Sequence, residues 1–342
     1  MKEKVSSKKL IFWLFLIVFI WLAVTRLDQT KHILTVLATG RWYWIAPAIV
    51  CQLLFYPFYA RFISHVFRIF RLNLGWRQIL PVYMASKFTD VALPISTFGK
   101  AAIFLRHSKR TNLSTLNTGI GVFFVMLFEV SAFVLIALTT LVVLFVFGQT
   151  RAYLYITLLI LIVAVALAIL FLIKLAVYKT PPSRPVLWLI RSIARLAGHK
   201  DVKYEMIEAI LQEIGADVEK KRDKIWYGLW LAIITHCINI LTLAFIFLAF
   251  AGHFNPLAVL VAYTAGLLYT IVSITPQGVG VVETIMIATI HSFDIDLPTA
   301  AVVTLVFRSM LYWLPVFAGF YAFSRLELDP NKAKLKEGGF NG

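Results

Sequence analysis

A proline, two glycines and a carboxylate occur together in residues 273–283, between two strongly apolar runs. The sequence there is Ser-Ile-Thr-Pro-Gln-Gly-Val-Gly-Val-Val-Glu. Non-helical backbone at membrane depth is tolerated only where protein or a water-filled cavity satisfies its polar groups. Broken apolar segments of this kind indicate binding sites in transport proteins. A tight turn between two ordinary helices is the alternative, because Pro-x-Gly is also common in turns.

Glu283 and Arg308 are charged residues that we expect to pair inside the membrane. Glu283 falls in the first turn of a helix that begins after Gly280, where the helix dipole favours a carboxylate. Arg308 lies in mid-span, where an unpaired charge costs about 2.5–3.5 kcal/mol on insertion scales. Arg308 therefore needs a partner, and Glu283 is the first candidate and Glu129 the second. Such a pair is purely structural or has a functional role, and the two are compatible if a phosphate headgroup displaces one partner.

A second broken segment, residues 78–105, contains three charges, a proline and a glycine in its middle. The half-helix after Gly99 begins at Lys100. Backbone N–H groups at a helix start, together with an ammonium group, form an anion site. The alternative is that Asp90 neutralises Lys100 or Lys87.

The predicted substrate-binding or gating residues fall in these two broken segments and in two apolar spans. They are Glu283, Arg308, Lys100, Gly278, Gly280, Gln277, Pro276, Glu129 and Asp90. Gln277 has two interpretations, a bond to a lipid headgroup or a bond to a backbone carbonyl. His236 and Asn239 share a helix face through their i,i+3 spacing, which favours a buried hydrogen-bonded pair over a proton relay. The sequence offers no persuasive catalytic motif, metal cluster or cofactor loop, so we predict no catalytic residue, metal or cofactor.

Composition places the chain in a membrane. Of its 342 residues, 60% are hydrophobic and 15% are charged, which is typical of an integral membrane protein. Lys and Arg number 33 against 17 Asp and Glu, a net charge of +16. We attribute this excess to the positive-inside bias of membrane proteins rather than to nucleic-acid binding.

We predict an all-α integral membrane protein with about six full spans and two re-entrant broken-helix hairpins that form an inverted repeat. The full spans are predicted near residues 10–25, 42–59, 117–147, 152–174, 225–250 and 298–324. Residues 1–177 form the first membrane half, with its hairpin near 78–105. A cytoplasmic amphipathic linker covers 178–224. The second half, 225–342, has its hairpin near 257–292 and ends in a cytoplasmic tail.

The distribution of positive charge predicts the topology. Most Lys and Arg fall in segments that we place in the cytoplasm, together with both termini of a multi-pass protein of the cell membrane. Those outside are Arg26, Lys31, Arg41 and Arg151, and those within the membrane are Lys87, Lys100 and Arg308. The acidic link with Asp294 and Asp296 faces outward, and Asp28 falls in a short first outer loop.

Basic residues follow the second apolar run and alternate with apolar ones. They are Arg61, His65, Arg68, Arg71 and Arg77. This pattern predicts a helix that extends into the cytoplasmic interface. A solvated helix end with no lipid role is the alternative.

The core Thr275-Pro-Gln-Gly-Val-Gly-Val-Val-Glu283 is followed by Ala300-Ala301, Arg308, Trp313-Leu-Pro315 and Gly319. This arrangement resembles the flippase-like transmembrane family, which includes the N-terminal half of bifunctional lysylphosphatidylglycerol synthases. The resemblance implies a lipid translocase that moves an anionic or aminoacylated phospholipid, or a polyprenyl-phosphate-linked lipid, between leaflets. The main partner is then a membrane lipid. Whether the protein also forms a homo-oligomer or binds a partner synthase is left open.

The sequence departs from that family in two ways. The synthases carry a soluble aminoacyl-transferase domain after the membrane region, whereas this sequence ends at Gly342, so we do not expect lysyl transfer. Lys100 follows Gly99 at a position where the family often has an acidic residue, so the family's headgroup preference does not carry over directly to this sequence. The alternative function is a membrane-embedded transferase, related to the synthases or to glycosyltransferases, or a non-transporting partner of one.

Overall fold

The structure is a computed structural model that describes residues 27–70, 72–92, 103–104, 108, 115–147, 159, 163, 222–252, 254–273 and 278–327. Throughout these residues the secondary structure is helical, with turns and short extended links and no strand. The predicted all-α class is thereby confirmed for this part of the chain.

The helices vary widely in length. In chain order they are α1 (Leu27–Thr39), α2 (Ile45–Ile69), α3 (Trp76–Ala92), α4 (Thr115–Val146), α5 (Arg222–Phe250), α6 (Pro256–Val272), α7 (Val281–His291) and α8 (Leu297–Glu327). A 3-10 turn, Trp42–Trp44, leads into α2. Within the described ranges, three helical stretches are long and apolar enough to cross a membrane, Trp42–Ile69, Asn117–Val146 and Asp223–Phe250. They belong to α2, α4 and α5, and the total of six full spans stays a prediction.

The first outer loop is a correction to the sequence analysis. Residues 27–39, which were assigned to a loop around Asp28, form the helix α1. Its apolar residues Ile33, Val36 and Leu37 pack against the buried core. Their i, i+3, i+4 spacing gives the helix one apolar face, and the packing of that face stabilises a helix of 13 residues.

The long helices α2 and α5 run antiparallel. Trp42, just before α2, contacts Phe250 at the end of α5, with ring centroids 5.6 Å apart. Near the other end, the His65 ring lies 4.8 Å from that of Tyr227, and its Nε2 lies 2.7 Å from the Lys224 carbonyl oxygen. The helix α2 ends at Ile69, so it continues well beyond residue 59, as its basic pattern predicted.

Two buried apolar clusters lie along α4 and α5. One joins α2, α3 and the first parts of α4 and α5, around Phe62, Phe67 and Tyr83. The other joins the later parts of α4 and α5 to α6, α7 and α8, around Phe247 and Met286. Because α4 and α5 contribute to both clusters, they connect the two sets of helices.

Large apolar side chains also cover the outer surface of the long helices. Examples are Val50, Leu54, Leu138, Val142 and Leu241, which are between 43% and 62% exposed. Soluble monomers rarely expose continuous apolar faces of this kind. The exposed faces therefore agree with a surrounding of lipid.

The helices α6 and α7 are too short to cross a bilayer. With 17 and 11 residues they are about 26 Å and 17 Å long, against a hydrocarbon core of about 30 Å. They lie against each other closely: a Cβ on Gly266 of α6 would stand 2.7 Å from the Met286 sulfur of α7. The two helices occupy the range of the second predicted hairpin, of which residues 274–277 lie outside the described residues. Its re-entrant course in the membrane stays a prediction.

Candidate functional site

The turn before α7 requires glycine at two positions. Gly278 and Gly280 have φ angles of 69° and 87°, in the left-handed region. That region costs an L-residue roughly 1–2 kcal/mol. At Gly278 a Cβ would also lie 2.4 Å from Cγ2 of Val282. The Gly-Val-Gly spacing is thus a backbone requirement that brings the start of α7 into place.

Glu283 closes this turn with its side chain. It is the third residue of α7, and its Oε2 accepts a hydrogen bond of 2.7 Å from the backbone N–H of Gly280. A glutamate at this position satisfies a backbone donor that the helix leaves free, and its charge matches the positive end of the helix dipole. The dipole-favoured position predicted for this carboxylate is confirmed.

Arg308 reaches the same carboxylate from α8. Its Nε donates to Oε1 of Glu283 at 2.7 Å, and the Arg308 and Glu283 side chains are 6% and 19% exposed. Another guanidinium nitrogen donates to the Tyr312 hydroxyl, and the guanidinium carbon stands 4.3 Å from the centre of the Tyr312 ring. The predicted Glu283–Arg308 pairing is confirmed, whereas Tyr312 was not foreseen.

The two carboxylate oxygens of Glu283 have separate partners. One bonds the backbone of the turn and the other bonds Arg308, so the same residue links the turn before α7 to α8. Of the two charged groups, the carboxylate is the more exposed. A phosphate is also a strong acceptor for a guanidinium, so it can compete with the carboxylate for Arg308.

Glu129, the second partner considered for Arg308, lies on α4 and accepts a hydrogen bond from the Tyr59 hydroxyl of α2. Tyr59 packs on Tyr83 of α3, with ring centroids 4.3 Å apart. Nζ of Lys87 lies 5.8 Å from the centre of the Tyr83 ring. The structure thus ties Glu129 to a group of aromatic side chains from the first half of the chain.

His236 contacts a tyrosine of α6. Its Nδ1 is 2.7 Å from the Tyr263 hydroxyl. Nε2 of His236 lies 3.4 Å from the backbone oxygen of Glu129. The predicted bond between His236 and Asn239 is not found among the described residues, where Oδ1 of Asn239 is buried without a hydrogen-bond partner. His236 instead joins α5 to Tyr263 of α6.

Several predicted site residues cannot be placed. Pro276, Gln277 and Lys100 lie outside the described residues, and Asp90 belongs to α3 without a described side chain. Their roles stay predictions.

Comparison with known proteins matches this chain to membrane proteins. The chain matches the family described as the lysylphosphatidylglycerol synthase TM region over residues 9–319. It is also similar to a UPF0104 membrane protein of Methanocaldococcus jannaschii, with 32% identity over 109 residues. That second match covers 32% of this chain and 32% of the archaeal protein, about a third of each.

Proposed function

Because the chain belongs to the family of lysylphosphatidylglycerol synthase transmembrane regions, we propose that it translocates a lipid between leaflets of the cell membrane. The cargo is an anionic or aminoacylated phospholipid, or a polyprenyl-phosphate-linked lipid. These lipids share a phosphate group that must cross the apolar core of the bilayer.

The observation that carries this proposal is the buried ion pair between Arg308 and Glu283 at a broken helix. An ionisable residue within a membrane segment is a functional-site hypothesis by default, because its burial is costly. The planar guanidinium fork of Arg308 is suited to bind a phosphate bidentately. A purely structural pair does not require its acidic member to be part of a glycine turn between two short helices.

The partners of Glu283 support an exchange mechanism. When a lipid phosphate takes over Arg308, Glu283 loses its bond through Oε1. Its Oε2 still holds the backbone N–H of Gly280, so the start of α7 stays capped. The ion pair can therefore open without unfolding the hairpin, and it closes again when the lipid leaves. Arg308 likewise keeps Tyr312 as a partner during the exchange.

The packing of the helices supports alternating access. The short helix α3 of the first half packs against α8, and the short helix α6 of the second half packs against α4, while α2 packs against α5. Both α3 and α6 have 17 residues. This reciprocal arrangement is expected of an inverted repeat, in which each half holds the broken segment of the other.

The test is reconstitution into vesicles with lipids that carry a fluorophore, in which a membrane-impermeant reductant quenches the outer leaflet. The panel contains phosphatidylglycerol, its lysyl derivative, a polyprenyl phosphate, and phosphatidylcholine as the zwitterionic comparison. We expect protein-dependent translocation of at least one of the first three at a higher rate than phosphatidylcholine. Folded protein that moves none of them would overturn the proposal and favour a transferase or a non-transporting partner of one.

A further inference from the structure

A cationic and aromatic cluster lies at the end of the molecule opposite Trp42. Its centre is Trp76, the first residue of α3, whose ring is contacted by two arginines. The guanidinium carbon of Arg61 is 5.2 Å from the ring centroid, and that of Arg77 is 5.4 Å from it. We call these residues the Arg61–Trp76–Arg77 cluster. Both arginines are exposed, and Trp76 is half-buried.

No carboxylate of the described residues neutralises the positive charge of the cluster. The sequence contains no Asp or Glu between Asp28 and Asp90, so α2 and the link to α3 carry bases only. Among the residues that the structure describes, neither Arg61 nor Arg77 forms an ion pair, and their recorded contacts are with aromatic rings. Arg77 also occupies the first turn of α3, where the helix dipole disfavours a cation. An external anion bound here would pair with the two arginines and would offset the unfavourable interaction of Arg77 with the helix dipole.

The cluster lies where a membrane surface is expected. Arg61 shares a face of α2 with Leu54 and Val50, which precede it by seven and eleven residues, and both apolar residues are about half exposed. Along the helix axis Arg61 is about 30 Å from Trp42, which is one hydrocarbon thickness. Trp residues are enriched at both membrane interfaces, so Trp42 and Trp76 are placed as anchors at opposite surfaces. The arginines therefore face the headgroup layer of lipids that cover α2.

We propose that the Arg61–Trp76–Arg77 cluster is a binding site for the phosphodiester of an anionic phospholipid in the leaflet on this side of the membrane. The arginines donate to the phosphate oxygens, and the indole keeps both guanidinium planes in position. By the positive-inside rule this is the cytoplasmic leaflet. The site is separate from the Glu283–Arg308 pair, and it does not depend on the proposed transport.

Native mass spectrometry of the full-length protein tests this assignment. The protein is extracted with equal amounts of phosphatidylglycerol and phosphatidylcholine, and retained lipids are counted. The wild type should retain phosphatidylglycerol selectively. Double substitution Arg61→Gln with Arg77→Gln should weaken that retention about 30-fold, since each arginine near an anionic membrane surface contributes about fivefold. The control is Arg41→Gln, which removes an exposed arginine from the opposite end of α2 and should change nothing.

A second variant separates a built site from general surface attraction. Arg61→Lys with Arg77→Lys keeps both charges but loses the planar forks that stack on Trp76, so it should lose most of the selectivity. Retention at the wild-type level by this variant, or by the double glutamine variant, would overturn the proposal. Binding of inorganic phosphate that displaces phosphatidylglycerol from the wild type would also overturn it, because the ligand would then be a soluble anion.

Discussion

Exchange of the two charges, Glu283→Arg with Arg308→Glu, probes how the ion pair is built. If the pair were held by charge attraction alone, the exchange would restore it almost fully. The structure predicts that the exchange recovers only part of the lost stability, because Glu283 also accepts a hydrogen bond from the backbone of the turn. An arginine at position 283 has no acceptor to offer to the backbone N–H of Gly280.

The magnitudes follow from the contacts. Removal of one member of a buried pair typically costs about 3–5 kcal/mol, so Glu283→Gln and Arg308→Met should each fall in that range. In the exchanged protein the ion pair re-forms, but the lost helix cap costs about 1 kcal/mol. A cation in the first turn of α7 adds about 0.3–1 kcal/mol through the helix dipole. The exchanged protein should therefore lose about 1–2 kcal/mol, less than either single variant.

Thermal unfolding of purified protein in detergent provides the comparison. At about 2 °C per kcal/mol, the single variants should melt roughly 6–10 °C below the wild type, and the exchanged protein roughly 2–4 °C below it. Arg41→Met serves as the matched control for loss of an exposed arginine. An exchanged protein that melts lower than both single variants would refute the reasoning, since the two residues would then not act as a pair. Single variants that melt like the wild type would refute it as well.

Three further predictions concern the turn, the first-half network and the topology. Gly278→Ala should lower stability by more than about 2 kcal/mol in the same melts, because it combines a positive φ with a 2.4 Å clash. Gly75→Ala, whose Cβ would meet only Oε1 of Gln78 at 3.8 Å, should cost much less. Tyr59→Phe removes a hydrogen-bond donor to the Glu129 carboxylate and should lower stability by about 1.5–3 kcal/mol. Tyr56→Phe removes only a neutral 3.4 Å contact with Gln52 and should cost about 1 kcal/mol or less, so equal costs would contradict the bond assigned to Tyr59. Asp294→Cys in a cysteine-free background should react with an impermeant thiol reagent from outside intact cells, and reaction only after permeabilisation would disprove the inverted topology.

The break between α6 and α7 and the Glu283–Arg308 pair could be predicted from the sequence because their signals are local or energetically strict. Proline, glycines and a carboxylate in an apolar run mark a broken helix whatever its neighbours are. A buried arginine must have a partner, and a membrane segment offers few acids, so Glu283 was the first choice for Arg308. The positive φ angles of Gly278 and Gly280 are the backbone reason for that glycine spacing.

The tyrosines could not be predicted in the same way. Tyr59 reaches Glu129 across 70 residues of sequence, and Tyr263 reaches His236 across 27. Helical periodicity tells which face of a helix is buried, but not which neighbouring helix that face meets. The same limit explains why α1 was not predicted. Its short apolar face identifies a helix only when the core against which it packs is known.

The rate of lipid translocation by Arg308→Lys protein tests the central claim most directly. The lysine keeps the positive charge beside Glu283 but cannot bind a phosphate through a planar fork. Loss of one charge-assisted hydrogen bond predicts a rate that is roughly tenfold to a hundredfold lower in reconstituted vesicles, in folded protein and with Arg41→Lys unchanged. Translocation by Arg308→Lys at the wild-type rate would contradict the claim that this arginine binds the lipid phosphate.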